Sequence, residues 1–594
     1  KFGSVRGQDV EPDEVVRQLE SRASRGGDEL GTSLRRLAKM GAWEAVDRWL
    51  KKVDSIDDQK ELARIASLIG ADMILRTSLQ ESLTESGRSA INKLTTASKA
   101  ERESPALMQR AIELITKDGI EQKLPAARIL RRGGSAGIQA IVDRIAKGTT
   151  ASQQVNLLRV LDEFGDAGEQ CLNQLALYGD ETARVNCLRV LANREDALPT
   201  LVSAAFASDA SERERSLAQA TVRQKHPDFD APEAVLFLTD YLNRTLRLAE
   251  QTPNTEAPAM IWSIGADRTS VSPSRSYEIF LKYRDAYDAA RRLSRQDGVP
   301  SSSLQLAMIA DLNYRVIADV DWGTDEQING ILDVYGAAAS APSLSQALGQ
   351  AIQKRHIPAA LGLIRILDLL GNESPNLMMA ILASENGTAS PLATAASDAS
   401  PRIRFEAARS LSTISGQYAG SSNVRKTLAE MARLPDRPTA ILIETRPFIA
   451  LAQESILSQL GFEVETVQSV NAAERVIGKG GDLELVVSKL RLADAGATEL
   501  VDRLRRSPRS SGVAIVFYDD GDASERTVRS ATLETTSRRW DREHFPTVRV
   551  VPLPGDPTAF GAVLRELDVR RRLPSLTIAD RRSFRNAGIV ALAE

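Results

Sequence analysis

The chain has 594 residues, too many for one hydrophobic core, so several domains or a repeat array are expected. Charged residues make up 26% and the net charge is only -3, so no global field favours nucleic acid or an anionic membrane. Two cysteines (Cys171, Cys187) and three scattered histidines (His226, His356, His544) exclude a disulfide framework and argue against zinc or histidine-centred chemistry.

Aromatics are scarce at 5%, and Ala, Leu, Arg, Ser and Glu dominate, which fits helices better than strands. No run approaches the roughly 20 apolar residues needed to span a bilayer. Lys1 is not a start methionine, so the expectation is either a mature chain that has lost an export signal or a fragment with disordered ends. The compartment stays open between cytoplasm and periplasm.

Residues 1–90 read as a helical cap. "PDEVVRQLESRA" and "GTSLRRLAKMGAWEAVDRWLKKV" place leucines, Val46, Trp43 and Trp49 in helical register, with the two tryptophans closing the end of a core.

From 91 to 245 the chain repeats itself. "AARILRRGGSAG" from Ala126, "LLRVLDEFGDAG" from Leu157 and "CLRVLANREDAL" from Cys187 begin 31 and then 30 residues apart (157 − 126, 187 − 157). Each carries an apolar face, an arginine and a turn rich in Gly, Asp or Asn, then a second helix: "IQAIVDRIA", "EQCLNQLAL", "PTLVSAAFA". The pattern returns in 341–435 as "LIRILDLLGNES" from Leu363 and "AARSLSTISG" from Ala407. A helix pair of this length cannot bury its own apolar stripe, so neighbours must stack on it as an α-solenoid.

These units, over about 1–435, resemble HEAT or armadillo-type repeats, and "SDASPRIRFEAARSL" (397–411) is the best match, with Pro401 suited to a first helical turn. Cys187 aligns with Leu157 and Ala126 in a core-facing slot, and Cys171 is expected to pack beside Leu172.

Between 246 and 340 the period loosens. "QTPNTEAPAM" reads as a linker or exposed loop, and "SIGADRTSVSPSRS" breaks the helical pattern again. Two helices follow, the first carrying Tyr277, Phe280, Tyr283 and Tyr287 as an aromatic stripe, and the pair faintly resembles a tetratricopeptide unit. Such a stripe is usually core; the alternative is a peptide groove with exposed tyrosine anchors.

After "ARLPDRP" strands alternate with helices: "TAILIET", "FEVETVQ", "LELVVSK", "GVAIVFY" and "VRVVPL", each followed by a helical stretch. This implies βαβ units and a five-stranded parallel sheet in a flavodoxin-like α/β domain over 437–572. The fold class is therefore mainly α, with this α/β domain near the C-terminus.

"GFEVETVQSVNAAERVI", "LRLADAGATELVDRLR" and "LPGDPTAF" make the segment similar to the receiver domain of bacterial response regulators. That resemblance implies a phosphoryl-accepting aspartate, an acidic pair for Mg²⁺, a hydroxyl and a lysine at the strand ends. Here the acidic pair is Glu444 and Thr445, and the acceptor position falls on Lys489, or on Ser488 if the register slips by one. The hydroxyl position falls near Phe517 or Tyr518, and the lysine position is Leu553. Phosphoryl transfer rests on positioning and charge neutralisation, so these losses are expected to abolish it.

Asp494, Asp519, Asp520 and Asp522 are acidic loop tips, expected to be solvated. The arginines at 503, 505, 506, 509 and 570–572 are expected to form solvated helix faces, because aromatics are not interleaved and acids lie close by. "IGKGGD" (477–482) lacks the ending of a phosphate loop and reads as a helix-ending turn. No catalytic, cofactor-binding or metal-binding residue is assigned.

Residues 573–594 start an amphipathic helix whose partner is expected to be absent from this sequence, in a natural chain that continues past residue 594. The expected role is a non-catalytic bacterial scaffold binding other proteins, a second copy of itself among them. The rivals are a signalling protein whose α/β domain switches on a ligand and an enzyme whose substrate the solenoid presents.

Overall fold

The computed structural model describes the chain except residues 1–11, 118–121, 195, 228, 384–386, 415–416, 493, 508, 520–525, 542–543, 569–570 and 594. The chain is mainly helical, with a five-stranded parallel sheet in its C-terminal region. It divides into two units: residues 1–197 with 262–274, and residues 198–261 with 275–594.

In the first unit, helices Pro12–Ala23, Gly27–Met40, Trp43–Asp54, Gln59–Ile69, Ala71–Ser78 and Glu85–Arg102 share one apolar core. Trp43 and Trp49 lie partly buried against it. Asp47, buried in the third helix, accepts bonds from both the backbone N–H and the hydroxyl of Thr84 at 2.9 Å, fixing the start of Glu85–Arg102. The repeat helices follow as Lys123–Arg132, Ser135–Ala146, Ala151–Asp162, Asp166–Tyr178 and Glu181–Leu191. Ala126, Leu157 and Cys187, which head the three aligned stretches, are all buried, and so is Cys171.

A two-stranded sheet, β1 (Pro258–Ile264) and β2 (Val271–Tyr277), begins in the stretch expected to be linker or loop and continues through the one that breaks the helical pattern. Its tip belongs to the first unit: Asp180 N–H donates to Arg268 O at 2.9 Å, and the Arg268 guanidinium donates to the carbonyls of Tyr178 and Gly179.

In the second unit Phe280, Tyr283 and Tyr287 lie on helix Glu278–Ser294, while Tyr277, expected on the same helix, ends β2 as its N-cap. Tyr283 is buried and Tyr277 is exposed, while Tyr287 meets Tyr314 at a tilt, ring centres 5.1 Å apart, beneath the Arg284 guanidinium. Farther along, Pro401 opens helix Pro401–Ser410 as expected. Leu363 and Ala407, which head the later repeat stretches, are fully buried.

The sheet consists of β3 (Thr439–Ile443), β4 (Glu463–Val467), β5 (Leu483–Lys489), β6 (Ala514–Asp519) and β7 (Val548–Pro552). Its order is β4-β3-β5-β6-β7, with all four pairings parallel, the arrangement of flavodoxin-like sheets. Alternate strand residues face opposite layers. Ile441, Ile443, Val486, Ile515 and Phe517 pack with Val470–Gly478 and Ala497–Arg506 on one side. Leu442, Val487, Val516 and Tyr518 pack with Pro447–Gln459 and Pro557–Leu567 on the other.

The last helix, Ile578–Ala593, corrects one expectation: its partner lies within the chain. It packs on Ser421–Met431 and Pro401–Ser410, with Phe584 against Phe405 at 5.6 Å and Arg402 paired to Asp580 at 2.9 Å. The close approach is made at Gly588, where a Cβ would stand 2.7 Å from both Ala432 N and Leu428 O. Gly588→Val is therefore expected to lower unfolding free energy by roughly 1–3 kcal/mol. Gly330, in helix Asp325–Tyr335, has open space around its missing Cβ, and Gly330→Ala is expected to raise stability by about 0.5–1 kcal/mol. Urea unfolding of the two variants checks both signs.

Candidate functional site

The carboxyl ends of β3, β5, β6 and β7 form the crevice where sheets of this order present their chemistry. The apolar run Thr439–Ile443 buries β3 and delivers Glu444 at its tip, where Glu444 N–H donates to Val467 O at 3.0 Å. The Glu444 side chain is fully shielded from solvent.

A carboxylate so placed must be charge-matched, and Arg446, two residues on, supplies the match. Its guanidinium reaches both Glu444 oxygens at 3.1 and 2.7 Å, and the backbone N–H groups of Thr445 and Arg446 donate at 2.7 and 2.9 Å. The Tyr518 hydroxyl donates to Glu444 Oε2 at 2.6 Å. Burial alone would raise the Glu444 pKa, but the hydrogen bonds from Arg446 and Tyr518 outweigh it and hold the group at about 2.

Lys489 completes the cluster. Register pairs it with Tyr518, so both side chains leave the same face of the sheet. Lys489 Nζ donates to Thr445 Oγ1 at 2.6 Å and stands 4.0 Å from Glu444 Oε1. Ser488 is one residue out of phase, buried on the opposite face, with its hydroxyl turned back to Lys489 O at 3.0 Å. The structure thus brings Glu444, Thr445, Lys489 and Tyr518 together and leaves Ser488 aside. Leu553 joins the apolar layer with Val551 and Phe560, and Phe517 stacks on Trp540 at 5.2 Å on the other side.

Arg446 is the functional residue that sequence reasoning missed. Its signal was an acid and a base two residues apart just past a strand, which only a folded turn makes into a pair.

This arrangement does not fit the Mg²⁺ that a receiver domain uses. One carboxylate remains, all its strong acceptor directions are taken by donors, and an ammonium stands beside it. Among the described residues no group of three His, Cys, Asp or Glu side chains could hold a metal. Asp519 is buried and Asp494 is exposed, accepting from Asn471 N–H at 3.4 Å, while Asp520 and Asp522 lie outside the described residues.

The arginine clusters are less solvated than expected. Arg505 bonds to Thr547 at 2.8 Å, Arg509 pairs with Glu430 and Arg571 with Glu484 at 3.1 Å, whereas Arg506 faces solvent and Arg570 lies outside the described residues. "IGKGGD" ends a helix, with Gly480 at φ 80° against Glu430.

No protein-family model matches this chain, and no curated protein matches it in sequence.

Because the folded pKa of Glu444 lies below its ordinary 4.5, its stabilisation is complete above that value and is lost as pH falls toward 2. Glu444→Gln is expected to flatten that part of the acid-unfolding curve by roughly 2–4 kcal/mol. Denaturation measured at several pH values for both forms checks it.

Proposed function

We propose that this chain is a non-catalytic protein–protein interaction scaffold: HEAT-like helical repeats carrying a receiver-like domain that has given up phosphoryl transfer. The single observation behind this reading is the crevice closed on itself. Lys489 stands where a phosphate-accepting carboxylate would be needed, and its ammonium is bonded to Thr445 while Arg446 and Tyr518 occupy Glu444. A group with its charges already matched has no drive to recruit a cation or a phosphoryl donor.

What supports binding is the surface next to that crevice. Helix Pro447–Gln459 exposes Phe448 at 89% and Leu451 at 64%; its other exposed positions Pro447, Ala452, Ser455 and Gln459 carry no charge, and the half-buried Glu454 at the edge accepts from Thr466 at 3.4 Å. A large aromatic left in water beside an aliphatic neighbour is the residue type that anchors protein interfaces. A second copy of the chain is one such partner, since an uncharged face opposes no like charges across a two-fold axis.

Two outcomes are expected. Incubation with acetyl phosphate and Mg²⁺ leaves the intact mass of the full chain unchanged; a single stable phosphoryl adduct contradicts the proposal. Phe448→Asp with Leu451→Asp, both surface changes, removes the proteins that the wild-type chain retains in a native pull-down. An identical retained set in the double variant contradicts the assignment of that face.

A further inference from the structure

A cavity of about 430 Å³ lies at the opposite end of the sheet from the crevice, within the second unit. One wall is the amino ends of β5 and β6, residues 482–484 and 512–514. Another is Lys354 and Arg355 with residues 399–402, the entry to helix Pro401–Ser410. The strap 571–576, which leads into the last helix, closes it.

The acids in these walls are already matched. Asp482 pairs with Arg581, Glu484 accepts from Arg571 at 3.1 Å and Ser575 at 2.8 Å, Asp568 faces Arg571 at 3.3 Å, and Glu250 lies against His356. What is left over is donors. Lys354 is exposed, and its ammonium has no ion pair or hydrogen bond among the described residues. Ser400 is the N-cap of Pro401–Ser410 yet makes no side-chain cap bond. Arg402, only 6% exposed, sends Nη2 to Asp580 but keeps a buried Nε without an acceptor. Arg355 is half exposed and shares Nη1 with Asp398 at 3.2 Å; its φ of 62° is the left-handed ending of helix Ala341–Gln353, closed by His356 N–H donating to Ala351 O at 2.8 Å.

One buried donor, Arg402 Nε, at the wall of an open volume calls for an oxygen acceptor, and a helix entry beside the two exposed cations Lys354 and Arg355 favours one that carries negative charge. We infer that this cavity binds a small oxyanion, a phosphate or carboxylate group, held by Lys354, Arg355 and the first turn of Pro401–Ser410. The ligand touches both the helical segment and the sheet, so its binding tightens their joint.

Isothermal titration of the full chain with inorganic phosphate and with citrate, each against chloride at equal ionic strength, tests the inference. Saturable one-to-one binding is expected, weakened about tenfold by Lys354→Glu, a solvent-facing change that leaves the fold intact, and less by Ser400→Ala. Binding of phosphate alone identifies a phosphoryl ligand, and of citrate alone a carboxylate. Heats no different from chloride, or unchanged in Lys354→Glu, overturn the inference. So does binding that is lost in Arg446→Ala instead, which would place the anion in the crevice.

Discussion

A carboxylate at the end of a buried strand has to be neutralised by something, and the identity of that neutraliser decides what the domain can do. In this chain it is Arg446, reaching back over a two-residue turn, with Tyr518 and Lys489 behind it. The sheet supplies the geometry: period-two alternation turns Glu444, Lys489 and Tyr518 to one face and Ser488 and Phe517 to the other. Once those side chains have met, the crevice is a finished salt-bridged cluster with its acceptors already taken. Tyr518 ties the crevice to the fold, because its ring belongs to one of the two apolar layers while its hydroxyl bonds Glu444.

A second buried ionic cluster joins the sheet to the helices beside it in the same unit. Arg404, fully buried in Pro401–Ser410, donates to Asp398 O at 2.7 Å and to Gly481 O at 2.8 Å, and lies 3.4 Å from Glu430. Glu430 in turn meets Arg509 and the Gly481 N–H, and Gly480 has no room for a side chain against it. Asp482 and Glu484 receive Arg581 from the last helix. Charges taken this far from water stabilise little in net terms, but removing any one of them strands its partner, so such a cluster specifies one docking geometry. An α/β domain held this way is suited to presenting a fixed surface.

Much of this was legible in the sequence, for identifiable reasons. The five strands announced themselves as short apolar runs between turn signals, and the repeat alignment placed Cys187 in the core because its neighbours in register were Leu157 and Ala126. That β5 ends on a hydroxyl and an ammonium, with no carboxylate, could be read directly from Ser488 and Lys489. The β1–β2 ribbon could not be read, because Pro258, Pro273 and a run of serines carry no strand pattern and the ribbon is held largely by what its tip meets. The partner of Ile578–Ala593 was invisible because it lies about 150 residues upstream, and only Gly588 marked a close approach. Arg446 escaped because its role exists only once Glu444 is buried.

The most direct test of the central claim is a Mg²⁺ titration of the full chain, followed by calorimetry or by amide chemical shifts at residues 444–446 and 489. If the crevice is closed by its own side chains, no saturable binding is seen through the millimolar range. Stoichiometric Mg²⁺ binding that disappears in Glu444→Gln would show the carboxylate to be free, and would contradict the account.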